Sequence, residues 1–133
     1  MTDTSALSAY IHKAETALSG ARLLLNAGNA DDACNRAYYA MFDAAHAALL
    51  ALGAEAAGSP IKTHNGLVAK FGQHLVRGNY LAADHGEALN AVQRFRKIAG
   101  YSGESIRIED AAWALERADA LVVAVKAFLG RPL

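Results

Sequence analysis

Hydrophobic positions recur every three or four residues along most of the chain and no strand-like alternation stands out, so the pattern predicts helices. Leu7, Ile11, Ala14, Leu18, Ala21 and Leu25 mark a first helix, which Ser5 or Ser8 can cap and Asn26-Ala27-Gly28-Asn29 stops. A central helix from Ala33 to Gly53 follows Asp31 and Asp32, whose charges suit the positive end of a helix dipole. After a loop containing Gly58-Ser59-Pro60, Thr63 caps a third helix with Leu67, Val68, Phe71, Leu75 and Val76 in its stripe, ending at Gly78-Asn79. The fourth helix spans about Leu81 to Ala99 with Ala88, Val92, Phe95 and Ala99 inward, and Gly100-Tyr101-Ser102-Gly103 reads as its break. The β-branched stretch IRIED is too short to be a sheet by itself. A fifth helix from Glu109 to Leu129 turns Ala112, Leu115, Ala118, Leu121, Val122, Val125 and Leu129 to the core. About five helices with short connections predict one all-α, up-and-down bundle over residues 1–133.

The central helix sets the arrangement, because it has three faces rather than two. Ala33, Ala37, Ala40, Ala44, Ala47 and Ala48 form a smooth strip that another helix can approach closely. Tyr38, Met41, Phe42, Leu49 and Leu52 form a bulky strip beside it. The remaining sector lines up Arg36, Tyr39, Asp43 and His46. A helix apolar over most of its circumference is buried, so its polar line must face a crevice or a partner.

Composition narrows the function classes. The chain has 133 residues, 53% of them apolar, enough for a core without metals or disulfides. Thirteen basic and thirteen acidic residues cancel, so any polyanion site has to be local. The lone Cys34 excludes an internal disulfide, the N-terminus is not signal-like and no apolar run reaches membrane-spanning length. These features predict a soluble, cytoplasmic protein.

Three groups of residues carry candidate chemistry. The line Arg36, Tyr39, Asp43, His46 offers a guanidinium, a phenol and a carboxylate/imidazole pair for phosphate binding or proton transfer. Surface charges with a His46 that satisfies a backbone carbonyl account for the same line without function. Gln93, Arg96 and Tyr101 form the second group: Arg94, Arg96 and Lys97 suit a helix C-terminus, while the glycines of the break leave backbone N–H groups free for an anion. His64, beside Lys62 and Thr63, is the third, either a phosphate contact at a helix start or an exposed first-turn residue. The five histidines contain no pair at metal-ligand spacing, and no nucleotide-cradling glycine motif or nucleophile elbow occurs, so neither metal nor cofactor is expected.

The strings RAYYAMFDAA at 36–45, THNGL at 63–67 and RKIAGY at 96–101, followed by an alanine-rich last helix, resemble HEPN-domain proteins, narrowly the branch patterned RAYYAxFxAA, SHxGL and RxxADY. The resemblance covers about Leu7 to Leu129. It implies a helical bundle that commonly forms a homodimer, and many similar proteins are encoded beside a minimal nucleotidyltransferase as toxin and antitoxin. Catalytic members cleave RNA without a metal through Arg-x4-6-His, the arginine holding phosphate and the histidine assisting attack by the 2′-hydroxyl, with two motifs meeting across the dimer. In this chain Arg96 is in place, but the fifth residue on is Tyr101, no arginine is followed by histidine at that spacing, and Gly100 replaces the branch's aspartate. A phenol is a poor base at neutral pH.

The expected function is therefore a binding module. Arg36, Tyr39, Asp43, His64, Arg96 and Tyr101 would line a cleft for nucleotide or RNA at a homodimer interface, with a nucleotidyltransferase as partner. The alternative is an active metal-independent ribonuclease in which His64 or His46 supplies the imidazole beside Arg96 and Tyr101. By analogy with toxin pairs in which the transferase adds nucleotide to a tyrosine, Tyr101 is also a candidate for modification.

Overall fold

Small residues decide how the helices assemble. A computed structural model of the protein describes residues 4–54 and 61–130, with the side chains at 4 and 100–102 outside that description. Its helices are α1 (Thr4–Asn26), α2 (Ala30–Ala51), α3 (His64–Lys70), α4 (Ala83–Ser102) and α5 (Ile108–Leu129), and a π-helical segment, Phe71–Val76, prolongs α3. No strand occurs among the described residues, so the fold is the expected all-α bundle.

The central helix is α2, which packs against every other helix, most extensively against α1 and next against α5. All six alanines of its smooth strip are fully buried. Ala14 and Ala21 of α1 and Ala111, Ala114 and Ala118 of α5 are equally buried. Methyl groups on both sides of these contacts let the helix axes come close, and Met41, Leu49, Phe71, Leu75, Leu89, Leu121, Val125 and Phe128 fill the remaining core. The turn between α1 and α2 is closed by the Asn29 N–H donating to the Leu24 carbonyl at 2.9 Å. A connection this short makes the two helices antiparallel neighbours.

Two details differ from the sequence pattern. The predicted third helix does not stay α-helical. Arg77 N–H reaches back five residues to the Gly72 carbonyl (3.1 Å) and Tyr80 N–H to that of Leu75 (2.9 Å), so the turn widens while Phe71 and Leu75 remain fully buried. Asn79, left-handed at φ 61, follows it. The fourth helix does not break at Ala99 either. It runs through Ser102 and is capped by left-handed Gly103 (φ 72). One internal glycine costs a helix only about 1 kcal/mol, which tertiary packing overrides, whereas a left-handed residue stops it. The free N–H cradle expected at 99–103 is thus absorbed into the helix, and Arg94, Arg96 and Lys97 lie before its last turn. The loop residues Gly58-Ser59-Pro60 lie outside the described residues.

After α4 the chain is tied down by Ile106, itself buried, whose N–H donates to Asp31 Oδ1 at 2.7 Å. That bond fixes the approach to α5 against the start of α2. No helix among the described residues is long and apolar enough to cross a membrane.

Replacing Ala40 or Ala44 by Leu should overpack the α2 contacts and lower stability by about 1–3 kcal/mol. Chemical denaturation checks this, and an unchanged midpoint for both variants would contradict the close approach.

Candidate functional site

Along one edge of α2, the alanine strip gives way to Asn35, Tyr38 and Tyr39, and there α3 and α4 converge. The start of α3 is set by Thr63, whose Oγ1 accepts from the Gly66 N–H at 3.0 Å. A Cβ on residue 66 would stand 2.7 Å from that oxygen and 3.2 Å from the Ile61 side chain, so the cap requires glycine. This local geometry aims His64 at Tyr38.

The Tyr38 hydroxyl lies 2.7 Å from His64 Nδ1, and His64 Nε2 lies 3.0 Å from Asn90 Oδ1 on α4. Burial pushes the Tyr38 phenol up to about 12, with Arg96 pulling the other way, so the phenol keeps its proton at neutral pH. Asn90 Oδ1 can only accept, so Nε2–H donates to it, and in the neutral imidazole this leaves Nδ1 to accept from the phenol. Phenol, imidazole and amide form one directed chain.

Arg96 occupies the other side of this chain. Its Nε donates to Asn35 Oδ1 at 2.8 Å and its Nη1 to Gln93 Oε1 at 2.6 Å. Its Cζ sits 4.3 Å from the Tyr38 ring centroid and 5.2 Å from that of Tyr39. Both hydrogen-bond partners are neutral amides, and the ion pairs among the described residues lie elsewhere, joining Arg22 to Asp119, Arg107 to Glu109 and Lys126 to Glu15. Arg96 is thus held in position with no carboxylate paired to it among the described residues.

The polar line of α2 does not stay together. Arg36, Tyr39 and Asp43 open onto a groove of about 470 Å³ shared with His12, Lys13 and Thr16 of α1. Burial raises the Asp43 carboxyl above its usual value, with Lys13 and then His46 opposing. His46 is itself buried, stacked on Tyr10 with ring centroids 5.3 Å apart and tilted against Phe42 at 4.7 Å. Since α1 runs back along α2, its first half covers the end of the line that carries His46. Of the sequence candidates, Arg96 and His64 both meet Tyr38, Tyr39 borders both Arg96 and the groove, and His46 is brought to neither. Tyr101 belongs to the last turn of α4, and its side chain lies outside the described residues.

Sequence reasoning missed Asn35, Tyr38 as a polar partner, and Asn90. Asn90, Gln93 and Arg96 recur every three residues on α4, a spacing that could have flagged Asn90 as part of a polar face. The sequence pattern puts Tyr38 in the bulky apolar strip, where its ring indeed packs. No local pattern singles out Asn35. Among the described residues, no group of three or more histidine, cysteine, aspartate or glutamate side chains is placed to hold a metal.

The helices form an all-α bundle in which a guanidinium and an imidazole meet on one tyrosine, and residues 7–128 match the HEPN domain family. The chain belongs to that family. It is 36% identical over 91 residues, 68% of either chain, to UPF0332 protein glr0978 of Gloeobacter violaceus. A Methanocaldococcus jannaschii protein named "Putative toxin MJ0605" is 30% identical over 120 residues, covering 90% of this chain and 86% of that relative. A UPF0332 protein of Thermotoga maritima is 32% identical over 98 residues, 74% of this chain and 70% of its own.

Two measurements check the site's local physics. Thr63→Ala should cost about 1 kcal/mol through the lost cap, read by denaturation. Burial also lifts the Cys34 thiol from 9.0 to about 11, with Arg96 opposing, and Tyr38 from 10.0 to about 12. The folded chain then binds more protons than the unfolded one across this alkaline range, so stability should fall as pH rises from about 9 to 12. Thermal midpoints against pH should show that decline, and Tyr38→Phe should flatten its upper part.

Proposed function

We propose that this HEPN protein is toxin-like and binds a phosphate of RNA or of a nucleotide at Arg96. The cleft is completed by a second copy of the chain, and a minimal nucleotidyltransferase is the partner. The observation that carries the reading is the state of Arg96. It is half-buried, aimed by two amide oxygens, stacked on two phenol rings and free of any carboxylate partner among the described residues. A guanidinium held this way has already lost much of its conformational freedom and lacks only an anion. The name of the Methanocaldococcus jannaschii relative supports the toxin-like role. The family resemblance supports the dimer and the transferase. Exposed Ile98 and Trp113, with Phe95 edge-on to the indole at 6.1 Å, give α4 and α5 an apolar surface suited to a second copy.

A second reading, a metal-independent ribonuclease, is favoured by the imidazole bonded to Tyr38 beside Arg96. In that reading a substrate 2′-hydroxyl takes the place of the phenol at His64 Nδ1, the nitrogen that accepts. Binding is the better supported function because Nδ1 is engaged by a phenol that holds its proton.

Fluorescence anisotropy with a labelled single-stranded RNA of mixed sequence tests the first reading. Arg96→Ala should weaken binding roughly tenfold or more, the range of a charge-assisted hydrogen bond. Equal affinity for variant and wild type would contradict it. Incubating the same RNA in excess chelator separates the two readings: the wild type should leave it intact, and cleavage abolished by His64→Ala would establish the enzyme instead.

A further inference from the structure

The groove between α1 and α2 lies next to the Arg96 cluster and has a different chemistry. Lys13 and Arg36 supply positive charge, Asp43 a carboxylate, Thr16 a hydroxyl and His12 an imidazole, and the Tyr39 ring lies among them, 44% exposed. Lys13, Arg36 and Asp43 take part in none of the ion pairs among the described residues, and although Lys13 and then His46 act on the Asp43 carboxyl electrostatically, both signs of charge face the groove. A simple polyanion is poorly served here, because Asp43 repels it. A simple cation meets Lys13 and Arg36. The complement to this set is a ligand with an anionic end, a flat aromatic face and an edge of N–H donors.

A nucleotide has all three, and the carboxylate selects among bases. Guanine presents two adjacent donors, N1–H and the 2-amino group, on one edge, matching the two oxygens of a carboxylate. Uracil presents a single N–H between two carbonyls, which Asp43 would repel. Unstacked bases in RNA are held by an aromatic platform combined with hydrogen bonds to their edges. The groove's volume of about 470 Å³ falls among small-ligand sites.

We propose that the α1–α2 groove binds a guanine ribonucleotide, with the base on Tyr39, its N1–H and 2-amino edge on Asp43, and its phosphate on Lys13 and Arg36. The site deepens the reading of Arg96 as a phosphate contact and rests on it for the RNA context alone. Because the Tyr39 ring is 5.2 Å from Arg96 Cζ, a guanosine in the groove sets the neighbouring phosphate of the same strand beside Arg96. The groove then supplies base selectivity, which a phosphate contact by itself cannot.

Isothermal titration of the purified protein with 5′-GMP, 5′-IMP and 5′-UMP tests the proposal. The wild type should bind GMP roughly tenfold or more tighter than UMP, with IMP, which lacks the 2-amino group, in between. Asp43→Asn is nearly isosteric and should bring GMP and UMP to similar affinity. Lys13→Glu changes an exposed residue and should weaken all three. Circular dichroism confirms that both variants are folded. No GMP binding by the wild type, or a guanine preference that survives Asp43→Asn, would overturn the proposal. Selectivity carried by Asp43 is read apart from RNA affinity carried by Arg96, so either reading can fail while the other stands.

Discussion

The close approach of helices to the alanine strip of α2 is the constraint on which the rest of the structure depends. With six methyl groups fully buried along one helix, α2 becomes the axis of the bundle, in contact with every other helix. Bulk is displaced to the adjoining strip, and the sector facing α3 and α4 is left to Tyr38 and its polar neighbours. The site is thus a by-product of core packing: the smoother the alanine face, the more sharply the remaining sector is directed toward α3 and α4.

Precision at that sector comes from rigid elements rather than loops. Thr63 and Gly66 fix the first turn of α3, and His64 follows from it. Asn90, Gln93 and Arg96 sit on one face of α4, before its last turn. Tyr38 joins the two helices, giving its hydroxyl to the imidazole and its ring to the guanidinium. Each partner limits the freedom of the next, which is the property a phosphate-binding cluster needs. Tyr39, one residue on, turns outward and connects this cluster to the α1–α2 groove.

Helix positions and the central role of α2 were legible in the sequence because they rest on periodicity and on the size of alanine, which are local properties. Two boundaries were not. The glycine at position 100 reads as a break, yet packing carries α4 past it to Gly103. The widened turn at 71–76 leaves no trace in a hydrophobic stripe that looks continuous. The polar line of Arg36, Tyr39, Asp43 and His46 was visible as a line, but its division was not, since that depends on Tyr10 arriving from another helix to cover His46. Arg96 and His64 were visible as candidates. Their convergence on Tyr38 was hidden, because the tyrosine's place in the apolar strip gave no hint that its hydroxyl would reach a histidine 26 residues away.

The central proposal is that Arg96 is a preformed receptor for a phosphate. A crystal structure of the protein with a short guanosine-containing RNA tests that most directly. The expected result is a phosphate within hydrogen-bonding distance of the Arg96 guanidinium, with Asn35 and Gln93 still holding Nε and Nη1. An RNA bound on another face, with the Arg96 cluster unchanged and unvisited, would contradict it.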